Sequence, residues 1–328
     1  MKLPRFLLGA IAMLGVGFTA SSCMGTVGAL GGGGQKAQAT QATQDRIQPA
    51  AAAFSIGLSE RTLSAGGRKR SYQLYVPRQA RKAPAGLVIA FHGGGQNVRR
   101  FSEGVEIQRM ADRYGFVVAL PQGIKNTWNA GGNPPAGYAE VNRIDDLGFV
   151  TALLDELTAS GRIDPAKVYA MGVSKGGMMA YWAACNMPER LAAIAVVAGT
   201  LSAPACPRFD DTSLLHIHGE NDQNVPFHGG RGAYTAKGSY WPSAFEGIQK
   251  FRQAESCAAE ESVSRVAPDT TCRASRCSGD DTVQYCLVDD GGHAWPGGDS
   301  SKRHKKRGIY VSPYFDATSY IAEFFLAN

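Results

Sequence analysis

Residues 168–176 read VYAMGVSKG, an apolar run followed by the pattern G-x-S-x-G. The apolar run is typical of a strand buried on both faces. The glycines fit a sharp turn from strand to helix, where only a residue without a side chain leaves room beside a crowded serine. The pattern therefore predicts that Ser174 projects from this turn as a nucleophile, whereas a glycine-rich turn with an incidental serine is the alternative.

Similar apolar runs recur along the chain and alternate with stretches of helical pattern. The other strand-like runs are Leu87–Phe91, Gly115–Leu120, Ala193–Val197 and Leu214–Ile217. The helical patterns span Val105–Tyr114, Asp146–Ser160 and Gly177–Asn186, and the spacing of Ile321, Phe324 and Phe325 predicts a final helix. An antiparallel hairpin is predicted at Arg61–Val76. The alternation predicts an α/β fold, a three-layer α/β/α sandwich around a mostly parallel central sheet.

Two later loops supply the partners that a nucleophilic serine requires, which are a base and a carboxylate that orients the base. Asp222 follows one strand-like run, and His293 lies in the glycine-rich loop after another. The order Ser174, Asp222, His293 is the nucleophile, acid, base order of α/β-hydrolases. Glu220 is the alternative acid, and either carboxylate could instead cap a turn.

The other histidines in the C-terminal half of the chain are predicted to have other roles. His216 and His218 alternate within a strand and are predicted to be structural. His228 is expected near the site, and His304 belongs to a basic run. His293 is the predicted base because its glycine-rich loop can adapt around a substrate.

A second motif, HGGG at residues 92–95, follows the strand-like run that ends at Phe91. Because its glycines have no side chains, their backbone N–H groups can face an oxyanion and stabilise the negative charge that develops there. The predicted donors are the amide of Gly94 or Gly95 and that of Lys175, the residue after the nucleophile. A tight structural turn is the alternative.

Three residues are predicted to contact the substrate: His92, Trp128 and Trp295. For Trp295, simple packing in the core is an equally good interpretation. No cofactor or metal is predicted, since the sequence has no C-x-x-C pair and its histidines lack the spacing of zinc ligands.

Six motifs can be read together: FHGGGQN at 91–97, ALPQG at 119–123, DDLGF at 145–149, GVSKGGMMA at 172–180, LHIHGENDQNVPF at 215–227 and GGHAWPGG at 291–298. In combination they resemble the polyhydroxybutyrate depolymerase and feruloyl esterase family, from about residue 55 to the end of the chain. The resemblance implies a serine esterase of the α/β-hydrolase fold with Ser174, Asp222 and His293 as its triad. Lys175 departs from the family, because relatives often carry asparagine there. The change keeps the backbone donor but alters the charge beside the site.

The resemblance leaves the ester itself open. Polymer-degrading members of the family often carry a separate binding module, for which this chain offers no room. Short hydroxyalkanoate oligomers or feruloyl and acetyl esters of polysaccharides are therefore expected as substrates rather than an insoluble polyester. An acyltransferase with the same triad is one alternative, and a non-catalytic surface protein on the hydrolase scaffold is another.

The N-terminus has the layout of a secretory signal. Lys2 and Arg5 precede the apolar residues 6–20, a run too short to span a bilayer. Residues 20–23, ASSC, resemble a bacterial lipobox, in which the cysteine becomes the lipidated first residue. We expect an exported, extracytoplasmic protein that is attached to a membrane through Cys23, with ordinary cleavage nearby as the alternative.

Three parts of the chain are predicted: a signal peptide at 1–22, a flexible tether at 23–53 and a single catalytic domain at 54–328. The tether is rich in Gly, Ala, Gln and Thr, and it offers too few large apolar groups to offset the entropy of ordering. Nothing in the remainder marks a second core.

Positive charge is concentrated at residues 302–307, KRHKKR, within a chain of formal net charge +6. This basic run is predicted to be a solvated loop. Contact with anionic glycan or lipid headgroups is the functional alternative, and no nucleic-acid partner is expected.

The sequence contains seven cysteines. Cys23 is assigned to the lipid, and the other six are predicted to form three disulfides, as expected in an oxidising compartment. Two strands flank Gly279, and position 272 faces position 286 because each lies seven residues from that glycine. Directly opposed residues lie within disulfide reach. The predicted pairs are Cys272 with Cys286, Cys257 with Cys277, and Cys185 with Cys206.

Overall fold

The computed structural model describes residues 54–81, 84–206, 211–233 and 239–328, apart from the side chain of residue 303. All of these residues belong to one unit of the chain, Gln48–Asn328. The predicted signal peptide, the Cys23 lipid site and the predicted tether lie outside the described residues.

The strands begin with an N-terminal hairpin at the predicted place. They are β1 (Gly57–Ala65), β2 (Arg68–Val76), β3 (Ala85–Phe91), β4 (Val117–Pro121), β5 (Ile163–Val173), β6 (Ala193–Val197), β7 (Ser213–Gly219), β8 (Gly230–Arg231), β9 (Tyr240–Trp241), β10 (Ser262–Ala267), β11 (Thr270–Arg276) and β12 (Thr282–Val288).

The helices lie mainly between the strands. They are α1 (Val98–Gly104), α2 (Ile107–Tyr114), α3 (Tyr138–Val141), α4 (Asp146–Thr158), α5 (Lys175–Asn186), α6 (Ala244–Ala254), α7 (Lys302–Lys306) and α8 (Ala317–Ala327). Short 3-10 turns lie at Arg78–Arg81, Ile124–Asn126 and Pro188–Arg190.

Within the described ranges, ten strands form one sheet in the order β1-β2-β4-β3-β5-β6-β7-β12-β11-β10. The pairs from β4 across to β12 are parallel, whereas the pairs at both edges are antiparallel. From β3 the chain passes to β4 on one side and then to β5 on the other. The carboxyl end of β3 is therefore a topological switch point, where open α/β sheets form their binding crevices.

Both faces of the central strands are buried. On β3, Leu87 and Ile89 pack in one apolar cluster with residues of α4 and α5. Val88 and Ala90 pack in a second cluster with residues of α1, α2 and α8. Strands that bury both faces explain the continuous apolar runs in the sequence, and the predicted α/β/α sandwich is confirmed.

Several predicted elements differ in detail. The helix expected at Val105–Tyr114 begins two residues later, at Ile107, because Glu106 adopts a left-handed backbone conformation with φ 53° just before α2. At the start of α4, the Asp145 carboxylate caps the helix by accepting the Gly148 N–H at 2.8 Å. The basic run forms the short helix α7 instead of the predicted loop.

The three disulfides found among the described residues join the three pairs predicted from the sequence. Cys272 and Cys286 are direct partners in the β11–β12 hairpin, as the centring on Gly279 required. Cys185 lies in the last turn of α5, so its bond to Cys206 ties the end of that helix to a following loop.

No helix in the described part of the chain is both long enough and apolar enough to cross a bilayer.

Candidate active site

Ser174 occupies a strained turn between β5 and α5. Its backbone has φ 54° and ψ −119°, a conformation that residues with side chains rarely adopt. The flanking positions have no room for a side chain. A Cβ at Gly172 would lie 2.4 Å from the carbonyl carbon of Gly176. A Cβ at Gly176 would lie 2.2 Å from the Phe91 carbonyl oxygen. The G-x-S-x-G pattern therefore follows from close backbone contacts on both sides of the serine.

Ser174, His293 and Asp222 come together although they are far apart in sequence. His293 Nε2 lies 2.9 Å from Ser174 Oγ, and His293 Nδ1 lies 2.7 Å from Asp222 Oδ2. Glu220 is exposed at the start of the same loop as Asp222, and its backbone N–H donates to Val288. The geometry thus favours Asp222 as the acid over Glu220.

The Asp222 carboxylate is almost fully buried, with 3% of the residue exposed. Its Oδ1 accepts the N–H groups of Asn224 at 2.8 Å and Val225 at 2.9 Å. Burial alone would raise the pKa of Asp222, but the charge of His293 and hydrogen bonds from His218 and His293 outweigh burial and hold this pKa far below its usual range. The carboxylate is therefore ionised at neutral pH, as an orienting acid requires.

The HGGG loop follows β3, which pairs in parallel with β5, so it lies beside Ser174. The prediction that Gly95 donates to an oxyanion is wrong, because its N–H already donates to the Asn126 carbonyl at 2.7 Å. Gly94 is the better placed residue, since a Cβ on it would lie 3.5 Å from Lys175 Cβ. Among the described residues, the Gly94 N–H donates to no acceptor. The amide of Lys175 begins α5 and has no acceptor within that helix.

The prediction that His92 and Trp128 contact a substrate is wrong, because both side chains are fully buried. His92 Nε2 accepts the Gly123 N–H at 3.0 Å, and its Nδ1 lies 2.9 Å from the Gly93 carbonyl oxygen. Trp128 Nε1 donates to the His92 carbonyl at 2.8 Å. Burial lowers the pKa of His92 to about 4, so the ring is neutral. These two side chains fix the shape of the loop from behind.

Trp295 also packs in the core, which corrects its prediction as a substrate contact. Its indole N–H donates to Thr318 Oγ1 at 2.9 Å, and its ring meets Phe101 edge-on with centroids 6.0 Å apart. Whether a tryptophan lines a cleft or a core depends on its tertiary partners, which are distant in sequence here. His228 is exposed and packs against Phe227.

A cavity of about 310 Å³ lies beside His293. Its lining is mainly polar and includes Asn221, Gln223, Asn224, Asp290, Arg307 and Tyr310. Asn224 Oδ1 is buried and makes no hydrogen bond to any described residue. A buried acceptor of this kind is a ready partner for a hydroxyl group of a ligand. Arg307 brings the end of the basic run to this cavity.

The described part of the chain contains no group of three or more His, Cys, Asp or Glu side chains arranged to hold a metal ion.

The chain is similar to known esterases in sequence and fold. The model of the family "Esterase PHB depolymerase" matches residues 70–213. The putative esterase NocK of Nocardia uniformis subsp. tsuyamanensis is 32% identical over 256 residues, which cover 73% of this chain and 74% of NocK. The chain belongs to the esterase PHB depolymerase family. It is accordingly a carboxylic ester hydrolase.

Other relatives match a smaller share of their length. Feruloyl esterase B of Neurospora crassa is 34% identical over 131 residues, which cover 39% of this chain and 44% of that enzyme. The acetyl xylan esterase of Aspergillus awamori shares the fold, with a TM-score of 0.54 and 15% identity over 76% of this chain and 98% of its own.

In this esterase the side chain of Lys175 forms a buried ion pair that the sequence did not reveal. Its ammonium bonds to the Glu140 carboxylate, and the two side chains are 7% and 1% exposed. Glu140 also accepts the N–H groups of Gly132 at 3.1 Å and Ala136 at 2.6 Å. Burial lowers the pKa of Lys175, and the carboxylate opposes that shift. The pair therefore ties α3, which contains Glu140, to the residue that follows Ser174.

We expect Glu140→Ala to lower the free energy of unfolding by about 3 to 5 kcal/mol, because it leaves a buried ammonium unpaired. Denaturant unfolding followed by tryptophan fluorescence measures the loss. The matched control is Glu103→Ala, which breaks the exposed ion pair with Arg99 and should leave the midpoint unchanged. Equal effects of the two substitutions would contradict this role of the buried pair.

Proposed function

We propose that the chain is a serine esterase that cleaves carboxylic esters through an acyl-enzyme on Ser174. The observation that carries the proposal is the 2.9 Å contact between Ser174 Oγ and His293 Nε2, with Asp222 on the other ring nitrogen. His293 takes the serine proton as Oγ attacks the ester carbonyl, and the tetrahedral intermediate collapses to release the alcohol, which receives that proton. Water, deprotonated by the same histidine, then hydrolyses the acyl-serine.

The oxyanion of each tetrahedral intermediate would be held by the amides of Gly94 and Lys175. Their closeness across the crevice supports this assignment, since a Cβ added to Gly94 would lie 3.5 Å from Lys175 Cβ. Donors that are fixed before the reaction stabilise developing charge without reorganisation, and losing one such donor costs on the order of 10²-fold in rate.

The polar cavity beside His293 favours esters with a polar alcohol part. Because His293 returns the proton to the leaving alcohol, that alcohol lies on the side of His293. Asn224 lines this cavity and its Oδ1 accepts no hydrogen bond from any described residue, which supports a hydroxyl-bearing group there. Short hydroxyalkanoate oligomers and feruloyl or acetyl esters of polysaccharides have such alcohols. Relatives named feruloyl esterase and acetylxylan esterase are consistent with the second class.

Export is part of the same proposal. The three disulfides joining described residues support folding in an oxidising compartment. The signal-like N-terminus and the lipobox at Cys23 support membrane attachment of the mature chain. Mass spectrometry of the mature N-terminus tests it, since an unmodified terminus other than Cys23 would exclude the lipid anchor.

We expect Ser174→Ala to lower kcat/KM for 4-nitrophenyl acetate by about 10⁴-fold or more, because the attacking oxygen is removed. The double substitution Ser174→Ala with His293→Ala should be little worse, since the triad acts as a unit. Ser64→Ala, an exposed serine in the N-terminal hairpin, is the control and should retain full activity. Substantial turnover by Ser174→Ala would exclude the mechanism, and transfer of the acyl group to an added alcohol would favour an acyltransferase.

We expect the enzyme to prefer acetylated xylo-oligosaccharides or hydroxybutyrate dimers over hexyl acetate in kcat/KM. Asn224→Ala should reduce this preference by about fivefold, because one hydrogen bond of roughly 1 kcal/mol is lost. Gln79→Ala, an exposed amide before β3, is the control. An equal or greater rate with the apolar alcohol would contradict the assignment of the cavity.

A further inference from the structure

A line of buried side chains leads away from the back of Asp222. Tyr181 lies on α5, and His216 and His218 lie on β7. The Tyr181 hydroxyl lies 2.9 Å from His216 Nδ1, and His216 Nε2 lies 2.9 Å from His218 Nδ1. All three residues are at most 1% exposed. The triad chemistry described above uses none of them.

The last ring of the line reaches the catalytic loop. His218 Nε2 lies 2.8 Å from the Val225 carbonyl oxygen and 3.4 Å from Asp222 Oδ2. That Asp222 oxygen is the one that also contacts His293. The other oxygen, Oδ1, accepts the Val225 N–H. His218 therefore bridges the two ends of the turn that carries the triad acid.

The partners fix where the protons are. The Val225 carbonyl can only accept, so His218 Nε2 carries a hydrogen. In the tautomer in which Nε2 carries the only hydrogen of the His218 ring, Nδ1 accepts from His216 Nε2–H, and His216 Nδ1 accepts from the Tyr181 hydroxyl. Burial lowers the pKa of His216 and raises that of Tyr181, which keeps the ring neutral and the phenol protonated. Every hydrogen in the line then points toward Asp222.

We propose that His218 is a positioning residue for Asp222, and that Tyr181 and His216 hold His218 in the tautomer whose Nε2–H faces that carboxylate. The inference rests on the proposed serine esterase mechanism. His218 restrains the 222–225 turn and directs Asp222 Oδ2 at His293. Without it the carboxylate can rotate or withdraw, and the imidazole loses its alignment on Ser174.

Two kinetic consequences follow from this role. No residue of the line contacts the reacting atoms, so its loss lowers kcat and leaves KM unchanged. Misalignment of a reacting group by about 1 Å can cost on the order of 10²-fold in rate. The fall in kcat also arises only through Asp222. It therefore disappears in a variant that already lacks the Asp222 carboxylate.

The decisive experiment is a double-mutant cycle between His218→Leu and Asp222→Asn, with kcat and KM measured for each variant. We expect His218→Leu to lower kcat by about ten- to a hundredfold at constant KM. It should have no further effect in the Asp222→Asn background. His218→Gln, whose amide can donate near the position of Nε2, should restore most of kcat. Gln253→Leu, at an exposed position on α6, is the control and should leave kcat unchanged.

Tyr181→Phe keeps the test decisive if His218→Leu does not fold. It removes a single hydroxyl from the far end of the line. We expect a smaller fall in kcat than with His218→Leu, at constant KM, and an unchanged fluorescence spectrum that shows the variant is folded. A fall in kcat from His218→Leu or Tyr181→Phe that adds to the fall from Asp222→Asn would overturn the inference, and so would a raised KM, provided that Ser174→Ala is inactive. Activity in Ser174→Ala would instead overturn the proposed function, so the two failures are distinguishable.

Discussion

The first turn of α5 lies against the end of β3 so closely that no side chain fits between them. A Cβ at Gly176 would be 2.2 Å from the Phe91 carbonyl oxygen and 2.6 Å from that of His92. This contact brings the nucleophile turn and the HGGG loop into one crevice. It sets the separation between Ser174 and the amide of Gly94, and it places both at the switch point of the parallel sheet. Any larger residue at position 176 would separate the attacking oxygen from the oxyanion donors.

The groups behind this crevice are buried, and each is matched to a partner. Asp222 is ionised because two backbone amides, His218 and His293 surround its oxygens. Lys175 is paired with Glu140. An unpaired charge would be costly in this environment, and the same low dielectric strengthens each contact with the reacting atoms. The strained backbone of Ser174 is held by its N–H, which donates to the Val197 carbonyl at 2.8 Å, and by the close packing of Gly172 against Gly176.

Much of the fold and the main site residues could be predicted from the sequence, because their signals are local. Apolar runs marked the buried strands, glycines marked the nucleophile turn, and equal spacing about Gly279 gave the pairing of Cys272 with Cys286. Chain order alone suggested Ser174, Asp222 and His293 as a group. These features depend on backbone conformation and on the layout of neighbouring strands, which short segments of sequence encode.

The errors concern tertiary partners that no local pattern encodes. The Gly95 amide is used by Asn126, 31 residues away, and Trp128 and Trp295 find their partners in the core. Glu140 lies 35 residues from Lys175, so the sequence around Ser174 did not indicate that Lys175 forms a buried ion pair. The alternation of His216 and His218 within a strand predicted a structural role, and both are buried, but the pattern gave no hint that the second ring reaches Asp222.

A crystal structure of the enzyme after reaction with a fluorophosphonate tests the central claim most directly. We expect phosphorus bonded to Ser174 Oγ, with the phosphoryl oxygen about 2.7 to 3.1 Å from the amide nitrogens of Gly94 and Lys175. His293 should lie between this serine and Asp222. Phosphorus on another residue, or a phosphoryl oxygen directed away from both amides, would contradict the arrangement of nucleophile and oxyanion donors described above.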